Sequence, residues 1–508
     1  ETLSMNAPVI KMLDHTYTSR RLLQITGLVV FILASAKAGP ALNLELWFVL
    51  LSLAGGFIAL SILSPPIAVA LYTTSHFLIG QVSIFYQQVS VLSVCAAVIV
   101  VTLFFVRLRQ GIIVKLFYLN QGQYFTLALF AAFFIIGFLK GHSPDCSDLH
   151  SLWSAFITSS LRGANSLIHY LFIGYWLIFI AMGMLACTNM TELKVFLIAY
   201  SILYISELLA LPIKFYIQFF DDIIFKCKPN ALSLGNVNRG VIGYMSAMAG
   251  VVALAAAHHM KSRLKFLLYV WSFIAAVVVV LAGTKGPLIG LFLGAGYVLM
   301  YAKGREFVKS AVAIGLFAAL ILMSLFSSWS ILPCGTVKQY VRSGHSFTTR
   351  VEVVNNFTKN FQGEKVSQGE KVSQGEKVSA LLFGNGFGAS TRYVNPKTGE
   401  KTTHSGNLNL FVDLFVETGI VGLALFIAVL SILIKSFFLI VAKSAYIHAG
   451  FLRSAIGGML IIILIKVMVG AETHTEHLAA LLSGLPIGAF VWWPQDHCST
   501  RIRNGNSS

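Results

Sequence analysis

The chain has 508 residues, 56% of them hydrophobic and only 11% charged, with a mean hydropathy of +0.78. A soluble domain cannot hide that much apolar surface, so composition excludes a soluble globular protein and leaves a polytopic membrane protein. The formal net charge of +17 is not read as a nucleic-acid footprint, because Lys and Arg collect at the cytoplasmic side of membrane proteins.

No cleavable signal pattern opens the sequence, and Glu1–Ser4 are read as a remnant ahead of a natural start at Met5. Apolar runs suited to spans follow at 22–37, 46–63, 66–84, 89–106, 123–139, 167–186 and 193–211. They continue at 240–258, 265–283, 287–302, 310–327, 419–441, 454–470 and 478–493. At ~20 residues per span the expected fold is all-α, a transmembrane bundle of about 12–14 helices. The run at 66–84 is the weakest, since it opens on Pro65-Pro66 and contains His76.

Charge sets the orientation. With Lys11, Arg20 and Arg21 cytoplasmic, alternate connections carry Arg107, Arg109 and Lys115, then Lys194, then Lys261, Arg263 and Lys265. The series goes on with Lys303, Arg305 and Lys309, then Lys435, Lys443 and Arg453, then Arg501 and Arg503. The positive-inside tendency is satisfied and both termini are expected to be cytoplasmic. No internal repeat and no series of buried charges is read among the spans.

The chain therefore divides into a transmembrane region over 1–327, a large outer loop over 328–408, and a second transmembrane region with its tail over 409–508. The loop holds ten Lys/Arg against five Glu, a balance of +5 that the positive-inside tendency does not explain. An outer basic surface needs an anionic partner, and phosphates on lipids are the leading candidates. Three tandem Gln-Gly-Glu-Lys-Val-Ser copies at 362–379 cancel in charge and lack an apolar face. They are read as a surface insertion without chemistry.

Other outer features are smaller. Gly283-Thr-Lys-Gly-Pro287 reads as a tight connection between two spans. Lys466 falls inside a span near its outer end, either as a functional group or snorkelling to the interface. His474 and His477 stand beside Glu472 and Glu476 in a short loop; polar loop residues are the reading, and no metal site is expected. The six cysteines show no Cys-x-x-Cys spacing, and Cys146, Cys227 and Cys334 lie on the outer side, where a disulfide is chemically possible.

In order, the chain shows Gly235-Asn-Val-Asn-Arg-Gly240, Gly283-Thr-Lys-Gly-Pro287, Arg350-Val-Glu-Val-Val-Asn-Asn356 and Leu382-Phe-Gly-Asn-Gly-Phe-Gly388. His404-Ser-Gly-Asn407 then runs into Glu417-Thr-Gly-Ile-Val-Gly422. Over roughly 230–425 this resembles the O-antigen ligase and O-antigen polymerase superfamily of bacterial membrane glycosyltransferases, most of all the ligases. The resemblance implies a GT-C-like helical enzyme of the inner membrane acting in lipopolysaccharide biosynthesis. Such an enzyme transfers a glycan from undecaprenyl pyrophosphate to lipid A–core at the periplasmic face, with no cofactor and no metal. A polymerase extends a second carrier-linked repeat instead. Besides these substrates the expected partners are membrane lipids, and no nucleic acid is expected.

By position, His404 matches the loop histidine that activates the acceptor hydroxyl, since an imidazole titrating near neutrality can take that proton. Arg350 matches the arginine whose planar fork holds pyrophosphate. Lys285 stands where the family commonly has arginine, so it offers a point charge rather than a fork, and Arg239 is the residue able to supply one. Arg342, Asn238 and Asn407 complete the expected substrate-binding set. Asn236 and Asn238 are read first as caps of a helix beginning at Arg239, and Gly384, Gly386 and Gly388 as a tight loop. A transporter of the same lipid-linked glycans is the alternative class.

Overall fold

The structure is a computed structural model and describes residues 19–75, 91–113, 119, 121–139, 178–209, 239–259, 264–282, 285–301, 374–384, 392–394, 401–403, 410–443, 448–469, 484–485, 488 and 491–492. These residues are helical apart from one short two-stranded ribbon. In chain order the helices are α1 (Ser19–Ala41), α2 (Leu46–Leu63), α3 (Pro65–Thr74), α4 (Val91–Arg109), α5 (Gln121–Leu139), α6 (Ile178–Ala186) and α7 (Met190–Leu209). Then come α8 (Arg239–His259), α9 (Leu264–Leu281), α10 (Lys285–Met300) and α11 (Gln374–Phe383). After the ribbon of β1 (Arg392–Val394) and β2 (Lys401–Thr403), the chain ends in α12 (Leu410–Lys443) and α13 (Ala449–Val469).

Among the described residues five helices are long and apolar enough to cross a membrane, or six if the bent pair α6–α7 counts as one span. The apolar helices α9 and α10 are shorter. The multi-pass expectation therefore holds. The runs at 310–327 and most of 478–493 lie outside the described residues.

Helix α8 is the centre. It is buried along its length and packs against α7, α9, α10 and α13. Ala, Gly and Val dominate its middle, so neighbours approach closely. Polar side chains of α7 reach its carbonyls: Tyr200 and Tyr204 donate to Met245 O and Ile242 O, and Ser201 donates to Ala249 O. Each of those hydroxyls is thereby satisfied where no water is at hand.

Glycines set the α10–α13 contact. Gly290 lies against Ile462, and a Cβ on Gly294 would come within 2.9 Å of the Gly458 carbonyl. The paired positions run in opposite directions, so α10 and α13 are antiparallel. The outer faces carry exposed Phe48, Phe105, Phe125 and Phe266, as lipid-facing surfaces do.

Helix α3 departs from a simple span. A single residue, Ser64, separates it from α2, and Pro65 and Pro66 occupy its first turn, where a missing N–H costs nothing. All ten residues of α3 are buried, and it packs on α7. The remainder of the 66–84 run, beyond Ser75, lies outside the described residues.

Several residues counted in the sequence as charged connections prove to be buried within helices. Arg107, in the last turn of α4, is 1% exposed. Its guanidinium donates to the Leu185 and Ala186 carbonyls, to Gln110, and to both oxygens of Glu192 at 3.0 and 2.8 Å. All five N–H groups are used. Glu192 also accepts from Thr188, and its own N–H donates to Asn189 Oδ1, an N-cap signature that starts α7 after the 114° bend from α6.

The large loop is likewise more structured than the sequence suggests. The third Gln-Gly-Glu-Lys-Val-Ser copy forms the first six residues of α11, and α11 packs on α12. Ala380-Leu-Leu-Phe383 extends the copy into a ten-residue helix whose Leu381, Leu382 and Phe383 stay exposed. The all-α expectation holds for the described residues apart from one short antiparallel ribbon, in which Arg392 pairs with Thr403 and Val394 with Lys401. Tyr, Val and Thr on either side of a Pro- and Gly-containing stretch are strand signals.

Candidate functional site at one end of the bundle

Contacts fix which helix ends lie together. At one end Arg107 meets Glu192, Arg21 donates to Leu63 O, and His259 of α8 meets Ser454 of α13. Arg453 lies over the Tyr301 ring, 5.4 Å from its centroid, and Trp492 donates to Met184 O. The sequence reading puts all of these on the cytoplasmic side. His448 sits here too, where burial first, then Lys194 and His259, hold its imidazole below the ordinary histidine range.

The opposite end gathers the sequence motifs. Helix α8 begins at Arg239, as the motif reading expects, and α10 begins at Lys285, inside the stretch read as a tight connection. Both run antiparallel to α13, so their N-termini lie together where α13 finishes. Helix N-termini concentrate unpaired N–H groups and positive potential, which suit an anion. Lys466, one turn beyond Ile462 on the same face of α13, lies level with the start of α10. It is 4% exposed, so it is buried in the bundle rather than snorkelling.

The loop reaches this same end. Helices α12 and α13 pack on each other and are joined by a short connection, so the first turns of α12 lie where α13 ends. There α12 breaks at Gly419, with φ 67° and ψ −171°, a conformation that belongs to glycine. The backbone of Leu382 and Gly384 packs directly on that break, filling the space a side chain would need. Gly384 itself has φ 71° and ends α11, as a C-terminal glycine does. The tight-loop reading of this glycine holds; Gly386 and Gly388 lie outside the described residues.

Thr418 Oγ1 donates to Leu414 O at 2.6 Å, and its side chain leans on Gly422. The Glu-Thr-Gly-Ile-Val-Gly stretch thus has a structural job: it makes the break and the seat on which the loop rests.

The structure brings together the backbone starts at Arg239 and Lys285. His404, Arg350, Arg342, Asn238 and Asn407 lie outside the described residues, as do Asn236, Glu472, His474, Glu476, His477, Cys146, Cys227 and Cys334. His404 directly follows β2, whose last residue Thr403 pairs with Arg392. Among the described residues no group of three or more His, Cys, Asp or Glu is placed to hold a metal ion.

One residue at this end was missed in the sequence. Glu207 of α7 is 5% exposed and lies one turn beyond Tyr204, level with the first turn of α8. With Arg107, Lys194 and Lys466, it is one of four buried charged residues among those described. The signal was available, since Glu207 falls inside the apolar run at 193–211.

No protein-family model matches the chain, and no curated protein matches it either.

Proposed function

We propose that the chain is a membrane glycosyltransferase that moves a glycan from undecaprenyl pyrophosphate to a sugar hydroxyl of lipid A–core at the periplasmic face. The observation that supports this reading most is the gathering, at one end of the bundle, of the α8 start at Arg239, the α10 start at Lys285, buried Lys466 and the docked end of the loop. These are the elements that carry the ligase-like motifs, and their end is rich in positive potential, as a pyrophosphate requires.

In the reaction, the acceptor oxygen forms a bond to the anomeric carbon while the bond from that carbon to pyrophosphate breaks. His404 takes the hydroxyl proton, and the electron pair leaves with the lipid pyrophosphate. Arg350, with Lys285 and Arg239, offsets the charge that grows on the leaving group. Arg342, Asn238 and Asn407 hold donor and acceptor. The enzyme sits in the bacterial inner membrane with both termini cytoplasmic.

Acceptor choice separates ligase from polymerase. Purified protein given carrier-linked glycan is expected to glycosylate lipid A–core. Extension of a second carrier-linked repeat in its place would make the chain a polymerase.

One observation favours a transporter of the same lipids: a carboxyl buried within a span, at Glu207, as ion-coupled carriers have. Transfer by detergent-solubilised protein, with no compartment to cross, would exclude that reading.

A further inference from the structure

Glu207 sits among contacts that suit a protonated acid better than a carboxylate. Thr74 Oγ1, at the end of α3, lies 3.0 Å from Glu207 Oε1 and 3.1 Å from the Leu71 carbonyl. A threonine hydroxyl has one proton to give. If it goes to Leu71 O, the usual local bond for a helical threonine, the short contact to Glu207 needs a second proton, and the carboxyl is its source. Oε2 of Glu207 is buried and has no hydrogen-bond partner among the described residues. A carboxylate there would leave half its charge bare in a medium that strongly penalises it, whereas a neutral acid leaves only a carbonyl-type oxygen.

Among the described residues no ion pair to Glu207 is formed. Helix α3 carries no charged residue. On α8 the charged or titratable residues are Arg239, Tyr244, His258 and His259; on α13 they are Arg453 and Lys466; on α7 itself they are Glu192, Lys194, Tyr200 and Tyr204. Tyr204, the nearest of these along α7, spends its hydroxyl on Ile242 O and on Ser246 Oγ at 2.9 Å. A metal ion is a poor fit, because one carboxyl and one hydroxyl fall far short of the ~6 oxygens a hard cation takes.

We propose that Glu207 is a proton-binding site of the membrane interior: its Oε1–H donates to Thr74 Oγ1 and thereby pins α3 to α7. The bond links proton occupancy to the packing of α3, a helix that is buried on every residue and joined to α2 by the single residue Ser64. Release of the proton removes the bond and places a charge in the seam, so α3 is the element that responds.

Infrared spectroscopy of the protein in lipid nanodiscs, titrated from acid to alkali, tests this without glycan or lipid carrier, and so stands apart from the transferase reading. The expected result is a protonated-carboxyl C=O band at neutral pH that shifts in heavy water and is missing from Glu207→Gln. The same band should shift in Thr74→Val, which removes the hydroxyl and keeps the shape, and this arm decides the matter if the glutamine variant does not fold. Wild type and Glu207→Gln sharing one spectrum throughout, or a band unmoved by Thr74→Val, would overturn the proposal. So would a carboxyl signal that follows sodium rather than pH.

Discussion

Arg107 shows how a residue that reads as a simple inside charge becomes a structural post. Its fork satisfies two helix-end carbonyls and a carboxylate at once, so removal takes the cation from Glu192 and a donor from each of those carbonyls. Arg107→Ala is expected to lower stability by roughly 3–5 kcal/mol, the cost of breaking a buried pair. Arg107→Lys should recover little, because an ammonium cannot reach all the acceptors that the fork serves. Thermal unfolding in detergent checks both, and a lysine variant as stable as wild type would contradict the role. His448 supplies a pH dependence. Its folded-state affinity for a proton is held below the ordinary histidine value by burial, Lys194 and His259. The unfolded chain therefore takes the proton first. The contribution is complete above the ordinary histidine range and is lost as pH falls through that range toward the lower folded value. His448→Gln should flatten the acid limb of a stability–pH profile, and an unchanged limb would contradict it.

At the scale of elements, the break at Gly419 and the seat of α11 are one device. Gly419→Ala meets both the glycine-only backbone conformation and the Leu382–Gly384 backbone. The strain alone is about 1–3 kcal/mol, and the loop should lose its docking, with transfer activity falling more than stability. Because the three six-residue copies are identical, deleting any two yields the same protein, with one copy still preceding Ala380. Deleting 368–379 should leave expression and transfer nearly unchanged, while deleting 362–379 removes six of the ten residues of α11 and should undock the loop. Loss of transfer in the shorter deletion would contradict this account. The apolar helices and the start at 239 were legible because apolar length and Gly/Pro punctuation are local signals. α11 was not, since its apolar face arises where a repeat joins the next four residues. Neither was the burial of Arg107 and Glu207, which tertiary contacts decide.

For the whole molecule, the account assigns the Arg107 end to the cytoplasm and the α8–α10 start to the periplasm. Single cysteines at Thr398 and Ser262, exposed to an impermeant reagent in intact spheroplasts, should be modified at 398 and spared at 262. Modification at 262 alone would invert the bundle and remove the periplasmic site. The central claim is the chemistry at that site, and it is tested most directly by measuring donor binding and turnover together in His404→Ala and Arg350→Ala. The account predicts that His404→Ala abolishes transfer to lipid A–core yet binds the carrier-linked donor, because the imidazole meets the acceptor. Arg350→Ala should also weaken donor binding, on the order of 2–5 kcal/mol for a desolvated charge pair that loses one partner. Near-normal turnover in His404→Ala at saturating substrates, or equal donor binding by both variants, would contradict it.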